Sequence, residues 1–336
     1  MAQLLGLLLL SFLLTSMLLV PFVDLLYKLK FKRQKQITFD AFQKRTPIFD
    51  RLHAWKAGTP VGGGLLVIIV VTILTVWAYS MYGFSPKTWE IFVLLFAFIS
   101  FGLLGLIDDI KKTFGYKNDH FFGLRLRHKL FVQIILAIFI GLVFYFFLGV
   151  DFIYIHWFGK IEIGWLYIPL AAFVVVSFAN AFNITDGLDG LASGLLIICL
   201  VSFWVISATF LDPTMAVFIA IWIGSVLSFL YFNVFPARIW LGDVGALSFG
   251  ATLAVVGLLT GKIVAVAVIG GVFVAEVASS LIQLGSKKFN GKKIFIVAPI
   301  HLWFQNKGWE EPKIVMRFWL IGILFAIFGL WLAVIK

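Results

Sequence analysis

Ten runs of about twenty apolar residues recur along the chain, near 2–27, 62–82, 88–107, 129–148, 165–184, 188–210, 214–233, 244–261, 263–284 and 314–335. A helix needs about 20 mainly apolar residues to cross the hydrocarbon of a bilayer, so each run predicts a transmembrane span. Hydrophobic residues make up 62% of the 336 positions and charged residues 13%, against about half and about a quarter in soluble domains. No polar stretch is long enough for a separate soluble domain. The sequence therefore predicts an all-α integral membrane protein, a single transmembrane domain over residues 1–336.

The loops orient the spans. The opening "MAQLLGLLLL" has no basic residue before its apolar core and no small-residue cleavage site after it, which reads as an uncleaved first helix. Alternate loops 28–56, 108–129, 234–243 and 285–313 hold nine, six, one and six Lys/Arg, whereas the opposite loops and the C-terminus hold four. Basic residues accumulate on the cytoplasmic side, so both termini are expected outside. The net charge of +11 then belongs to cytoplasmic loops facing anionic lipid, and nucleic acid is not expected as a partner. The single cysteine, Cys199, excludes a disulfide framework or a cysteine metal cluster within one chain. The outer loop "DFIYIHWFGKIEIGW" alternates β-formers around Gly-Lys and predicts a short hairpin near 151–164 on the membrane surface. His156 reads there as an interfacial residue.

The acids carry the chemistry. Asp108 and Asp109 end the third span, Asp186 and Asp189 lie between the fifth and sixth, and Asp243 lies between the seventh and eighth. This topology brings all five to the cytoplasmic face. A carboxylate close to hydrocarbon is costly unless paired, hydrated or bound to metal, and hard oxygen ligands beside positive charge suit Mg²⁺ shared with phosphates. In "NITDGLDG", Asn183, Asp186 and Asp189 share one face if the segment is helical, and Gly187 and Gly190 leave room for a ligand at the backbone. The competing structural reading makes both acids caps of the next helix. "KAGTPVGGG" opens the second span with glycines after Lys56, either a phosphate-attracting helix start or a tight turn; it is not a Walker A motif, since no Gly-Lys-Ser/Thr follows. Glu276, inside the ninth span, is expected to bond Ser279 or Ser280 in a structural role. His301 follows Pro299 in the last cytoplasmic loop, where a lone histidine is usually solvated, and Trp303, Phe304 and Trp309 point to a loop lying on the membrane or over a site.

These segments together resemble the bacterial phospho-N-acetylmuramoyl-pentapeptide transferases, within the polyprenyl-phosphate N-acetylhexosamine-1-phosphate transferases. The resemblance rests on "KAGTPVGGG", "DDIKK", "NAFNITDGLDGLASG", "FNVFPARIWLGDVGALSFGA" and "GKKIFIVAPIHLWFQNKGWEEPKIVMRFW". It implies transfer of phospho-MurNAc-pentapeptide from UDP-MurNAc-pentapeptide to undecaprenyl phosphate, giving lipid I and UMP, the first membrane step of peptidoglycan synthesis. It further implies a Mg²⁺ cofactor, a place in the bacterial cytoplasmic membrane with the active site facing the cytoplasm, and a homodimer. The resemblance puts the metal on Asp243 and catalysis on Asp108, Asp109, Asp186 and His301. It puts substrate contacts on Lys56, Thr59, Arg127, Lys129, Asn180, Asn183, Asp189, Asn233 and Gly242, with Trp240 stacking on uracil.

The chain departs from the family pattern in several places: Arg127 stands where the family usually has lysine, and the first loop is long and basic. His301-Leu302-Trp303 stands where the family has three histidines, "GTPVGGG" replaces "GTPTMGG", and Ala246 replaces a serine. Two other readings remain open at the level of sequence: a sister transferase using UDP-GlcNAc, and a secondary transporter whose carboxylates carry ions. Transporters place such carboxylates near the midplane, whereas here they gather at one face.

Overall fold

The computed structural model describes residues 1–33, 45–81, 88–114, 123–155, 158–209 and 212–335. Among these, nine helices are long and apolar enough to cross a membrane: α1 (Ala2–Lys28), α3 (Gly63–Met81), α4 (Thr88–Phe114), α5 (Leu126–Phe146), α6 (Tyr167–Thr185), α7 (Leu191–Thr209), α8 (Pro213–Asn233), α9 (Gly242–Leu259) and α13 (Glu311–Val334). A short α2 (Pro47–His53) precedes α3, and α12 (Ile300–Asn306) precedes α13. Tyr82 and Phe210, expected at span ends, and His156 lie outside the described residues.

Helices this apolar all round have no polar face to direct them, so position in the bundle distinguishes them. Every residue of α9 from Val244 to Leu258 is buried, and α9 packs against α4, α6 and α3. Phe98 of α4, Trp222 of α8 and Phe249 of α9 meet at its heart, with ring centroids 5.2 to 5.6 Å apart. By contrast α1 turns Leu5, Leu9, Leu13 and Met17 outward, and it grips α8 through Ser11 to the Ile221 carbonyl (2.6 Å) and Thr15 to Ser225 (2.8 Å). Interhelical hydrogen bonds of this kind are worth about 0.6 kcal/mol each in a membrane.

The ninth expected span is not one helix. It breaks into α10 (Ile263–Ile269) and α11 (Gly271–Phe289), bent by 80°. The break falls at Gly270-Gly271, where Cβ atoms would meet the Phe178 ring at 2.5 Å and the Phe325 ring at 2.8 Å. α10 stays with α9 and α13, while α11 turns to α6, α13 and α12. The predicted hairpin forms as β1 (Phe152–Ile155) antiparallel to β2 (Gly159–Glu162). Gly159 and Lys160, expected at the turn, instead begin the second strand, Gly159 at φ +73°.

Two helix ends differ from expectation where the acids lie. α4 runs on to Phe114, so Asp108 and Asp109 are buried helical residues rather than a span's end. α6 stops at Thr185, and Asp186 leaves the helix at φ −74°, ψ 45°. Asn183, Asp186 and Asp189 therefore share no helical face, and Asp189 belongs to a turn.

Candidate functional site

Two ion clusters form at the end of the bundle that carries the basic loops. The first depends on a backbone crossing. α4 approaches α9 so closely that a Cβ on Gly105 would lie 2.1 Å from the Asp243 carbonyl. This brings "LIDDIKK" to "WLGDVG". Lys112 Nζ reaches Asp108 (3.2 Å) and Asp243 (2.8 Å). Lys129, from the first turn of α5, binds the same two acids, at 3.0 Å from Asp108 and through a shorter contact to Asp243. The second oxygen of Asp108 accepts the Leu124 N–H at 2.6 Å, and Asp109 accepts the Val244 N–H at 2.9 Å. Gly242 opens α9 at φ +78° with no room for a side chain, because a Cβ there would stand 2.6 Å from an Asp109 oxygen. The cluster is partly open: the side chains of Lys112, Asp243 and Lys129 are 28%, 15% and 12% exposed.

The second cluster is sealed. Lys56 ends a 3-10 turn (Ala54–Lys56), and its ammonium binds Asp189 at 3.0 Å, Glu311 at 2.5 Å and the Gly187 carbonyl at 3.4 Å. The same Glu311 oxygen accepts the Asp189 N–H at 2.5 Å, and the other Asp189 oxygen accepts the Ala237 N–H at 2.9 Å. Trp240 is buried, with Lys56 Nζ 4.5 Å and Arg33 Cζ 5.0 Å from its ring centroid. Asn233 ties the neighbouring loops by accepting from the Gly190 N–H and the Ser193 hydroxyl and donating to the Ile239 carbonyl. Asp186 lies between the clusters. Burial, with the Asp243 charge adding to it, pushes its carboxyl up to about 7 against the pull of Lys56 and Arg33. Burial lowers Arg33, opposed by Asp186, Asp189 and Glu311.

Residues 91–261 match the Glycosyl transferase family 4 model. The chain is 35% identical over 327 residues to the phospho-N-acetylmuramoyl-pentapeptide-transferase of Geobacillus thermodenitrificans, covering 96% of each chain. It is 39% identical over 279 residues to the enzyme of that name from Limosilactobacillus reuteri, covering 82% of this chain and 83% of the relative. With the enzyme of that name from Halalkalibacterium halodurans it shares 34% identity over 328 residues, 97% of this chain and 96% of the relative. The chain belongs to the phospho-N-acetylmuramoyl-pentapeptide-transferase family. It is a multi-pass membrane enzyme.

Of the residues that the family resemblance singles out, Asp108, Asp109, Lys129, Gly242 and Asp243 meet in the open cluster of this transferase. Lys56, Asp189, Asn233 and Trp240 meet in the sealed one. Asn183 is half-buried on the last turn of α6. Thr59 is half-buried, its carbonyl accepting the Arg33 N–H at 2.9 Å. Asn180 and Arg127 also lie outside both clusters. Asn180 donates to Gln133 of α5 at 2.7 Å and to the Val176 carbonyl, and Arg127 is exposed on the first turn of α5.

Several local expectations are overturned. The glycine N–H groups at the start of α3 do not stand free for phosphate: those of Gly62, Gly63 and Gly64 already donate to the carbonyls of Trp240 and Leu241. The space at Gly187 is filled by the His301 ring, whose Nε2 would be 2.5 Å from a Cβ there. His301 is buried rather than solvated. The Glu276 carboxylate binds His301 and not a serine; the Ser279 hydroxyl donates instead to the Glu276 backbone carbonyl. Arg33, Lys112 and Glu311 received no role from sequence. Lys112 and Glu311 stood inside quoted motifs, where an ionisable residue at the border of an apolar run was signal enough.

Proposed function

We propose that this chain transfers phospho-N-acetylmuramoyl-pentapeptide from its UDP carrier to undecaprenyl phosphate, releasing UMP, and that residues 1–336 act as one domain. The observation that carries the reading is the partly open cluster of Asp108, Asp109 and Asp243 with Lys112 and Lys129 at the basic end of the bundle. Both substrates are anionic phosphates, and one of them is confined to the membrane. Only a site at the interface, with cations to offset their repulsion, serves both.

The donor set fits a shared Mg²⁺. Among the described residues no three acids, histidines or cysteines are grouped to hold a metal on their own. Mg²⁺ needs only one or two carboxylates when substrate phosphates complete its shell, and Asp243 with Asp108 beside it supplies them. When bound, the cation would offset charge on the diphosphate and the leaving UMP. Lys112 and Lys129 exchange carboxylate partners for phosphate oxygens and hold the acceptor in line. Phosphoryl transfer asks for little beyond this positioning and charge stabilisation. Asp109, bonded to the first turn of α9, keeps that helix start in register. Asp186 stands where it can take or hold a proton as the lipid phosphate attacks. Trp240 offers its ring to uracil once Arg33 yields a face.

We propose direct attack by the lipid phosphate; no phosphorylated enzyme should then be trapped with nucleotide alone. The decisive experiment measures Mg²⁺-dependent UMP release by the purified chain with UDP-MurNAc-pentapeptide and UDP-GlcNAc side by side. Turnover of the muramoyl nucleotide alone is expected, and turnover of UDP-GlcNAc alone overturns the reading. The family resemblance also supports a homodimer, tested by light scattering of the detergent-purified chain.

A further inference from the structure

Glu276 is completely buried on α11, and the reaction above does not use it. Both of its oxygens are committed to one residue: Oε1 accepts the His301 backbone N–H at 3.2 Å, and Oε2 lies 3.0 Å from His301 Nδ1. An ionised carboxylate only accepts, so Nδ1 carries the proton it binds, and in the neutral ring Nε2 is then the bare nitrogen. That nitrogen faces Gly187, in the turn between Asp186 and Asp189, whose carbonyl Lys56 meets at 3.4 Å. One bond to the backbone would suffice to hold this segment. The second bond fixes how the ring is turned and which nitrogen is bare. The neighbouring Leu302 and Trp303 offer no imidazole to substitute for it.

We propose that Glu276 is the positioning residue of His301, setting the tautomer whose bare Nε2 faces the Asp186–Asp189 turn. The role rests on the transferase reading above. The substitution Glu276→Gln tests it with almost no change of shape. The His301 backbone N–H still requires an acceptor, so the amide oxygen faces it and the NH₂ faces Nδ1. The ring proton must then move to Nε2.

Nitrogen-15 NMR of the histidine-labelled, detergent-purified chain, with the His301 signals assigned by their loss in His301→Gln, should find Nδ1 protonated in the parent and Nε2 protonated in Glu276→Gln. In the UMP-release assay, kcat of Glu276→Gln should fall about ten- to a hundredfold, the scale seen when the hydrogen-bond partner of a metal-ligating histidine is removed, with KM for the nucleotide little changed. The same substitution in a His301→Gln background should cost nothing further. An Nε2-protonated ring in the parent, full kcat in Glu276→Gln, or an additive loss in the double variant overturns the assignment. If Glu276→Gln does not fold, Glu276→Asp replaces it in the double-variant comparison with the same required outcome. An inactive parent with an Nδ1-protonated ring overturns the transferase reading and leaves the Glu276–His301 assignment standing.

Discussion

The two ion clusters are built from similar parts and differ in how tightly they are closed. In one, Lys56 and Asp189 are each 1% exposed, and the bonds among Lys56, Asp189 and Glu311 join positions 122 to 255 residues apart. In the other, two lysines bridge the same two acids, and Lys112, Lys129 and Asp243 keep some contact with the outside. Removing one partner of a buried pair strands the other charge and costs about 3–5 kcal/mol. A duplicated pair with access to water can exchange partners at little cost. The sealed cluster is therefore a lock that shapes the site, and the open cluster is where charge can be traded with substrate.

Substitutions can break this contrast. The largest effect is expected at Asp243: Asp243→Asn should lower kcat about a thousandfold, the scale of losing a principal transition-state contact, while thermal unfolding in detergent changes little. Next comes Lys56→Met, expected to destabilise the protein by about 3–5 kcal/mol, seen as an earlier unfolding transition together with lost activity. If the two variants exchange these phenotypes, the division into lock and site is wrong. Asp186 sharpens the comparison from between the clusters. Its carboxyl is held at about 7 and so loses its proton as pH rises through that value; kcat/KM should rise over the same range, and Asp186→Asn should flatten the limb. The smallest effect is expected at Arg127→Ala, whose exposed side chain enters neither cluster: activity within about twofold, and stability within the roughly 0.5 kcal/mol typical of surface changes.

How far the sequence could be read follows from the range of the interactions. The spans were legible because twenty apolar residues in succession have few other fates. The acids were legible because each is expensive near hydrocarbon, and all five lie at one end as expected. The break at Gly270-Gly271 was not, since two small residues in an apolar run become a hinge only when Phe178 and Phe325 occupy the space beside them. The division into two clusters was also hidden, because Lys56 finds Glu311 across 255 positions of chain and no local pattern encodes that pairing. Asn180 shows the same limit from the other side: its place in a recognised motif marks it for substrate, while nothing local encodes the bond its amide makes to Gln133 across the α5–α6 contact.

The contact of α4 with α9 at Gly105 has a consequence for biogenesis. Asp109 and Val244 are 135 residues apart, and the open cluster needs both helices. As a ribosome delivers the spans in order, α4 enters the bilayer with Asp108 and Asp109 accompanied by Lys112 alone, and it must wait through four further long helices before Asp243 arrives. Any nascent chain arrested between α5 and α9 carries the ionic centre without Asp243 and is incapable of turnover.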